Sequence, residues 1–503
     1  MIQVDLLEQD VLGVLSLIRS TKNSLVSINR IPPEVLSLVA LHCGSSEDLI
    51  TLTHVCRRWR KIFISHASLW TTLDCTATNN TRVFLERSKT SPLRIHLEEW
   101  FLNDAFLLTI PHFDRLKTLS LSGPANDLLQ FVEHLGSPSP ILKTLSIIVT
   151  RGEDLVLRDS IFGGNLSSLH KLRLGSVVNN LAWENMSNLR TFGLYNVSPD
   201  KISVTQLLDF FECAPLLHEI LLEYAFPDSS NAPPGRVVPL PNLKHLTTTA
   251  PRLHTILMNH LLIPTGASIT QTVCLFNAQS PIRSHLPRDL NNLEHLSSIT
   301  SITLSFAPRV DLRFDGPSGA HRIFGDWFGR SHFPTSLGRW VLQSLDALSI
   351  SAVEMLQLEH WRSTISSTAA EKSPIYSTFR QMDNLRALVL IACLNCPFFR
   401  ALNPKKNASG TVMCPRLEGL VVYLWRKERN FMNELLEMAK ERAAQGAKLE
   451  AVMLIMDADE LLPGKEVLEL RMYVSCVQYR QANVMPDSDA TPEVVDSTGD
   501  ESD

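Results

Sequence analysis

Two hydrophobic periods divide the chain. Near the N-terminus, Leu7, Val11, Val14 and Ile18 recur at spacings of three and four, which puts them on one face of a helix. Residues 5–19 are therefore predicted to form an amphipathic helix. Asp5, Glu8 and Asp10 lie near its start and Arg19 closes it, the polarity a helix dipole favours. The polar stretch 20–27 is predicted as a linker.

Residues 28–72 carry the densest pattern. Pro33 suits the first position of a helix, because its fixed φ is already helical. Val35, Leu36, Leu38, Val39 and Leu41 then make an apolar helix, which Gly44 is expected to stop. Ser46 is expected to cap the next helix, with Glu47 and Asp48 in its first turn. Leu49, Leu52, Val55, Cys56 and Trp59 give a second apolar stripe. Arg57, Arg58, Arg60 and Lys61 flank Trp59 on the wetter side, and Leu69 and Trp70 end the segment. Three short helices of this length carry more apolar surface than they can bury alone, so a partner is expected to complete them.

Downstream the period falls to two. Leu93, Ile95 and Leu97 share one strand face. From residue 116 a template L-x-x-L-x-L recurs, starting at 116, 142, 169, 189, 217, 243, 299, 345, 385, 417 and 449. Its last two apolar positions are two apart and point the same way on a strand. In so apolar a chain bare matches prove little, and spacing is the better evidence. Steps of 26 and 27 residues link 116, 142 and 169, and steps of 32 link 385, 417 and 449. The second template position holds Lys117, Lys143, His170, Arg190, His218 and Lys244 in the first six copies. The template and its spacing resemble leucine-rich repeats. The Asn or Cys that should follow the strand is mostly absent, and only the copy ending at Cys393 has it. Three segments interrupt the array: proline-rich 227–241, aromatic 306–340, and Ser/Thr-rich 362–381. Residues 486–503 hold seven acids and no base, which predicts a disordered tail.

Composition changes this picture little. Hydrophobic residues are 44% and charged residues 20% of 503, with net charge −5. These values suit globular units and give no general attraction to nucleic acid. The cluster Arg57, Arg58, Arg60 and Lys61 is better explained as a solvated helix face than as a nucleic-acid patch. No apolar run is long enough to span a membrane, and the acidic N-terminus does not suit a secretory signal. Nine cysteines form no disulfide framework. A cytoplasmic or nuclear protein is expected. Cys393, Cys396 and Cys414 lack the fourth ligand zinc wants, so no metal is expected and no cofactor. No catalytic motif stands out: the G-P-S-G at 316–319 lacks nucleophile-elbow spacing.

The run I-P-P-E-V-L, then D-L-I-T-L-T-H-V-C-R-R-W-R, then S-L-W resembles the F-box. More narrowly, residues 28–93 are similar to F-box proteins of mushroom-forming fungi, which often carry degenerate leucine-rich repeats. Ile31 stands where the family usually has Leu, and Val39-Ala40 where it often has Ile-Phe. The resemblance implies docking on a Skp-family adaptor, which in turn binds cullin and RING subunits. On the matching positions, Ile31, Pro32, Pro33, Leu36, Val39, Leu49, Leu52, Val55, Cys56 and Trp59 would form that docking face or its supporting core. The chain itself would do no chemistry; it would hold an unknown protein substrate for ubiquitin transfer. The alternative is an interaction scaffold that uses its F-box without ubiquitin transfer.

The expected fold is α/β (α+β): residues 1–27 helix and linker, 28–75 a three-helix F-box, 76–480 a degenerate repeat solenoid with insertions, and 481–503 an acidic tail. Lys117, Lys143 and Arg190 are candidates to line the solenoid's concave strand face and meet an acidic or phosphorylated substrate. Trp327 and Phe328, in the aromatic interruption, either bind substrate or anchor the insertion.

Overall fold

The computed structural model describes residues 2–42, 45–75, 77–98, 104–158, 160–179, 183–198, 201–225, 234–249, 251–276, 298–305, 309–317, 319–327, 350–359, 374–391, 396–407, 410–424, 431–457 and 464–482, with Leu296, Leu345, Leu348 and Cys393 besides. The chain divides into two units, Met1–Leu217 and His218–Asp503.

The first unit opens with helix α1 (Ile2–Leu25), longer at both ends than the amphipathic pattern alone indicated. The predicted linker is mostly helix, because Lys22 and the polar side chains around it suit a solvated last turn. A short 3-10 turn, Ser27–Arg30, leads to α2 (Pro33–Leu41), α3 (Ser46–Val55) and α4 (Arg57–Ser65). A second turn, Ala67–Trp70, delivers the chain to strand β1 (Thr72–Leu73). Helix α5 (Thr78–Ser88) then precedes β2 (Leu93–Leu97), and the short helix α6 (Asp104–Leu107) precedes β3 (Leu116–Gly123). After α7 (Ala125–Val132) come β4 (Thr144–Val149), β5 (Leu155–Leu157), β6 (Lys171–Gly175), β7 (Val177–Asn179) and β8 (Thr191–Tyr195). Helix α8 (Val204–Cys213) closes the unit, capped reciprocally by Ser203 and Gln206.

Strands β1, β2, β3, β4, β6 and β8 pair in that order, all parallel. The four template copies from 116 to 189 lie on β3, β4, β6 and β8. Register aligns Leu119, Leu145, Leu172 and Phe192 across the sheet, and likewise Leu121, Ile147, Leu174 and Leu194. All eight are buried. Each strand thus turns one face to the core, and the period of two in the sequence is the cause. Strands β5 and β7 form a small parallel pair of their own.

The second unit holds β9 (Glu219–Glu223), β10 (Val238–Pro239), β11 (His245–Thr248), helix α9 (Pro251–Met258), β12 (Leu261–Leu262) and β13 (Ser268–Phe276). Then follow β14 (Ser301–Ser305), β15 (Val310–Gly316), β16 (Gly319–Trp327) and β17 (Met355–Glu359). Last are β18 (Ala387–Ile391), β19 (Gly419–Leu424), β20 (Ala451–Asp457) and β21 (Cys476–Ala482). The helices Pro374–Gln381, Cys396–Leu402, Phe431–Ala444 and Gly464–Leu470 alternate with these strands. Pairing runs β9, β11, β13, β16, β15, β14, β17, β18, β19, β20, β21. The sheet is mixed, because β15 runs antiparallel to both neighbours.

That reversal lies within the aromatic interruption at 306–340, whose described part is a hairpin of the same sheet. Gly316 and Gly319 face each other across a hairpin. Gly319 sits at φ +132, and a Cβ on Gly316 would strike the Ser298 carbonyl. The two glycines thus close the hairpin between β15 and β16, and glycine is what both positions require. Phe314 is buried inside it, and the Arg322 guanidinium lies 4.8 Å over Phe324.

The predicted copy at 345 is also displaced. The strand is β17, whose template starts at Val353, and Leu356 and Leu358 align with Leu388 and Leu390. Both segments fit the template. The one used extends the 32-residue period of 385, 417 and 449 back by one step. Cys393 donates to the Leu358 carbonyl of β17 at 3.2 Å, satisfying a backbone group of the preceding strand. The proline-rich residues 226–233, most of 362–381 and the acidic tail beyond Ala482 lie outside the described residues.

Candidate docking face

The three helices after residue 32 bury one set of side chains and expose another. In α2 the fixed φ of Pro33 starts the helix. Leu36, Ser37 and Ala40 turn inward. Ser37 meets its hydrogen-bonding need locally by donating to the Pro33 carbonyl at 2.9 Å. Helix α3 is capped by Ser45, whose Oγ accepts from the Asp48 amide at 3.0 Å. The expected cap, Ser46, instead donates to Asp74 Oδ2 at 2.6 Å, tying α3 to the residue after β1. Leu49 and Thr53 face inward.

The second stripe of the sequence is not one helix. Cys56 adopts φ −159 and ψ 168, so the chain breaks there and α4 starts afresh at Arg57. The break turns Trp59 and Phe63 to the core, with their rings edge to face at 5.5 Å. Trp59 Nε1 donates to Asn29 Oδ1 at 2.6 Å, and Asn29 Nδ2 donates to the Asn23 carbonyl at 2.6 Å. A buried indole N–H needs an acceptor, and Asn29, in the turn before α2, provides it. The sequence pattern missed Asn29 because a lone polar residue in a turn carries no period. The only signal was the need itself.

Among the described residues, Trp70 is the largest fully buried side chain. Its Nε1 donates to the Phe63 carbonyl at 2.8 Å. Phe84 meets its ring edge-on at 4.8 Å, and the Arg87 guanidinium lies 4.3 Å over it. The basic residues Arg57, Arg58, Arg60 and Lys61 are exposed, and Arg58 donates to the Ile31 carbonyl at 2.7 Å.

Of the ten candidate residues, Leu36, Leu49 and Trp59 are core. Ile31, Leu52 and Cys56 are half-buried, and Pro32, Pro33, Val39 and Val55 are exposed. The pattern missed Val35, Leu38 and Leu41 as members of the outward set. With Val39 and Val55, these aliphatic side chains are 44–57% exposed. Such a cluster on so small a module marks a contact surface.

Lys117, Lys143 and Arg190 are brought to one level, but not to the open strand face. The Lys143 amide donates to the Lys117 carbonyl, the His170 amide to the Lys143 carbonyl, and the Arg190 amide to the His170 carbonyl, each at 2.8 Å. These four lie at the entry edge of the sheet. The open face is formed by alternate strand residues such as Thr118, Ser120, Lys171, Arg173 and Tyr195, because side chains two apart share a face. Trp327 ends β16, with its backbone opposite Phe276. Its side chain, and all of Phe328, lie outside the described residues.

Among the described residues, no group of three or more His, Cys, Asp or Glu could hold a metal, and no helix is long and apolar enough to cross a membrane. Cys396 keeps its backbone place at the start of its helix, with its side chain outside the described residues. Burial pushes the Cys75 and Cys414 thiols up to about 12, which makes both poor nucleophiles.

A family model described as F-box-like matches residues 28–76. That is the helical module, from the turn holding Asn29 to three residues past β1. The first unit therefore carries an F-box-like domain. No curated protein matches the chain.

Proposed function

We propose that this chain is a non-catalytic substrate receptor of a Skp–cullin–F-box ubiquitin ligase. The observation that carries the reading is the outward aliphatic cluster Val35, Leu38, Val39, Leu41 and Val55, on helices whose other sides are packed. An F-box-like domain implies binding to a Skp-type adaptor, and this cluster supplies an apolar surface for it. The residues split by role: Leu36, Leu49 and Trp59 support the face, while Pro32, Pro33, Val39 and Val55 meet the adaptor, with Ile31, Leu52 and Cys56 at its margin. Cullin and RING subunits join through the adaptor. A protein substrate held by the rest of the chain meets ubiquitin at high effective concentration.

The strand array is the proposed substrate surface, read as a degenerate leucine-rich-repeat domain. Its basic entry edge, Lys117, Lys143, His170 and Arg190, suits an acidic or phosphorylated segment. The deciding measurement is calorimetry of the full chain with a Skp-family adaptor. Binding by the wild type, lost in Leu38→Glu with Val39→Glu, supports the reading. No binding by the wild type, or equal binding by that variant, ends it. A purified Skp complex without cullin would make the chain an interaction scaffold instead.

A further inference from the structure

Helix α1 presents apolar residues to solvent. Val11, Val14, Leu17, Ile18 and Leu25 are 47–68% exposed. Along the whole helix, Val4, Leu7, Val11, Val14, Ile18, Thr21 and Leu25 follow spacings that alternate three and four. This is the seam of a coiled coil, and a lone helix leaves such a seam wet.

The chain's own helical module meets a different side of α1. A cavity of about 520 Å³ separates α1 from Asn29, Arg30 and the break at Cys56, and on the α1 side it is lined by Leu12, Leu15, Ser16, Arg19, Ser20 and Asn23. At about 100° per residue these positions centre roughly 140° around the helix from the seam. The seam therefore faces away from the module, and Leu12 and Leu15, on the cavity side, are 58% and 43% exposed as well.

Charge selects the occupant and its direction. Asp5, Glu8 and Asp10 lie in the first half of α1, and Arg19 and Lys22 in the second. A like helix running parallel would set acid beside acid. Running antiparallel, it sets the acidic half beside the basic half. The register that stacks Val14 on the partner's Ile18 also stacks Val11 on the partner's Thr21 and Leu7 on the partner's Leu25. It places the flanking Glu8 beside the partner's Lys22. We propose that α1 pairs antiparallel with α1 of a second copy, making the chain a homodimer. The proposal does not depend on the adaptor reading.

Sedimentation equilibrium of the full chain at tens of micromolar tests it. The wild type is expected at twice the chain mass. Ile18→Glu introduces a charge into two symmetric layers and should weaken the dimer by at least about a hundredfold, with the fold of each chain kept, read as an unchanged far-ultraviolet circular dichroism spectrum. Glu8→Lys and Lys22→Glu should each weaken it about five- to tenfold, and the double exchange should restore it. A monomeric wild type, or Ile18→Glu with unchanged mass, overturns the dimer. A double exchange as weak as either single change overturns the antiparallel pairing.

Discussion

In the first unit, helix α2 carries apolar side chains on two sides, whereas strands β3 and β4 carry them almost wholly on one. Leu119 and Leu121 of β3 are buried, and Thr118, Ser120 and Ser122, which alternate with them, are half-exposed and polar. Leu36 and Ala40 of α2 are buried, yet Val35, Leu38 and Val39 stand in water. A strand in the array finishes its burial against its parallel neighbours and the helices beneath. A helix in the module finishes half and leaves its remaining apolar surface exposed. The same hydrophobic content thus serves stability in one region and, on the reading proposed above, recognition in the other.

The comparison can be broken first at Trp70, where the two regions meet. Trp70→Ala removes its contacts with Phe84 and Arg87 and its bond to Phe63. It should cost about 3–5 kcal/mol, read as a lowered urea midpoint for the first unit. Leu119→Ala should cost about 2–5 kcal/mol in the same measurement. Val39→Glu should leave stability within about 0.5 kcal/mol while weakening adaptor binding at least about tenfold by calorimetry. If Val39→Glu destabilises as Leu119→Ala does, the division between inward and outward residues fails.

The Asn29–Trp59 bond sharpens the comparison further. Trp59→Phe and Asn29→Ala should each cost about 1–2 kcal/mol. The double variant should cost clearly less than the sum, since both remove one bond. The smallest effect belongs to the second unit. Burial alone would raise the Glu434 carboxyl, but hydrogen bonds from Lys406 and Arg400 outweigh it and hold it below the usual glutamate range. Its stabilisation is full above the unfolded value and fades as pH falls through the depressed folded value. It should amount to roughly 0.5–1 kcal/mol, measured as acid sensitivity that Glu434→Gln removes.

How much was legible follows from period and locality. Pro33 at a helix start and the paired leucines of each strand could be read directly, because each is a local rule. The break at Cys56 could not, since Leu49 to Trp59 keeps helical spacing straight through it; only tertiary packing of Trp59 chooses the extended conformation there. Strand β17 was misplaced by eight residues because two segments fit one template. The reversal at β15 hid because its glycine turn was read as a failed catalytic motif. The basic template positions were correctly seen as equivalent, but equivalence does not say whether a position lies on a face or an edge. That depends on where the pleat begins.

Trp70 also sets where this protein can be cut. A fragment ending at residue 76 would keep the indole and its bond to Phe63 but lose Phe84 and Arg87. The workable excision point lies after Ser88, where α5 ends. As a mechanical part, the helical module is therefore bolted to α5 through Trp70. If the proposed adaptor and substrate bind the module and the strands after α5, this joint would help to set the angle between them.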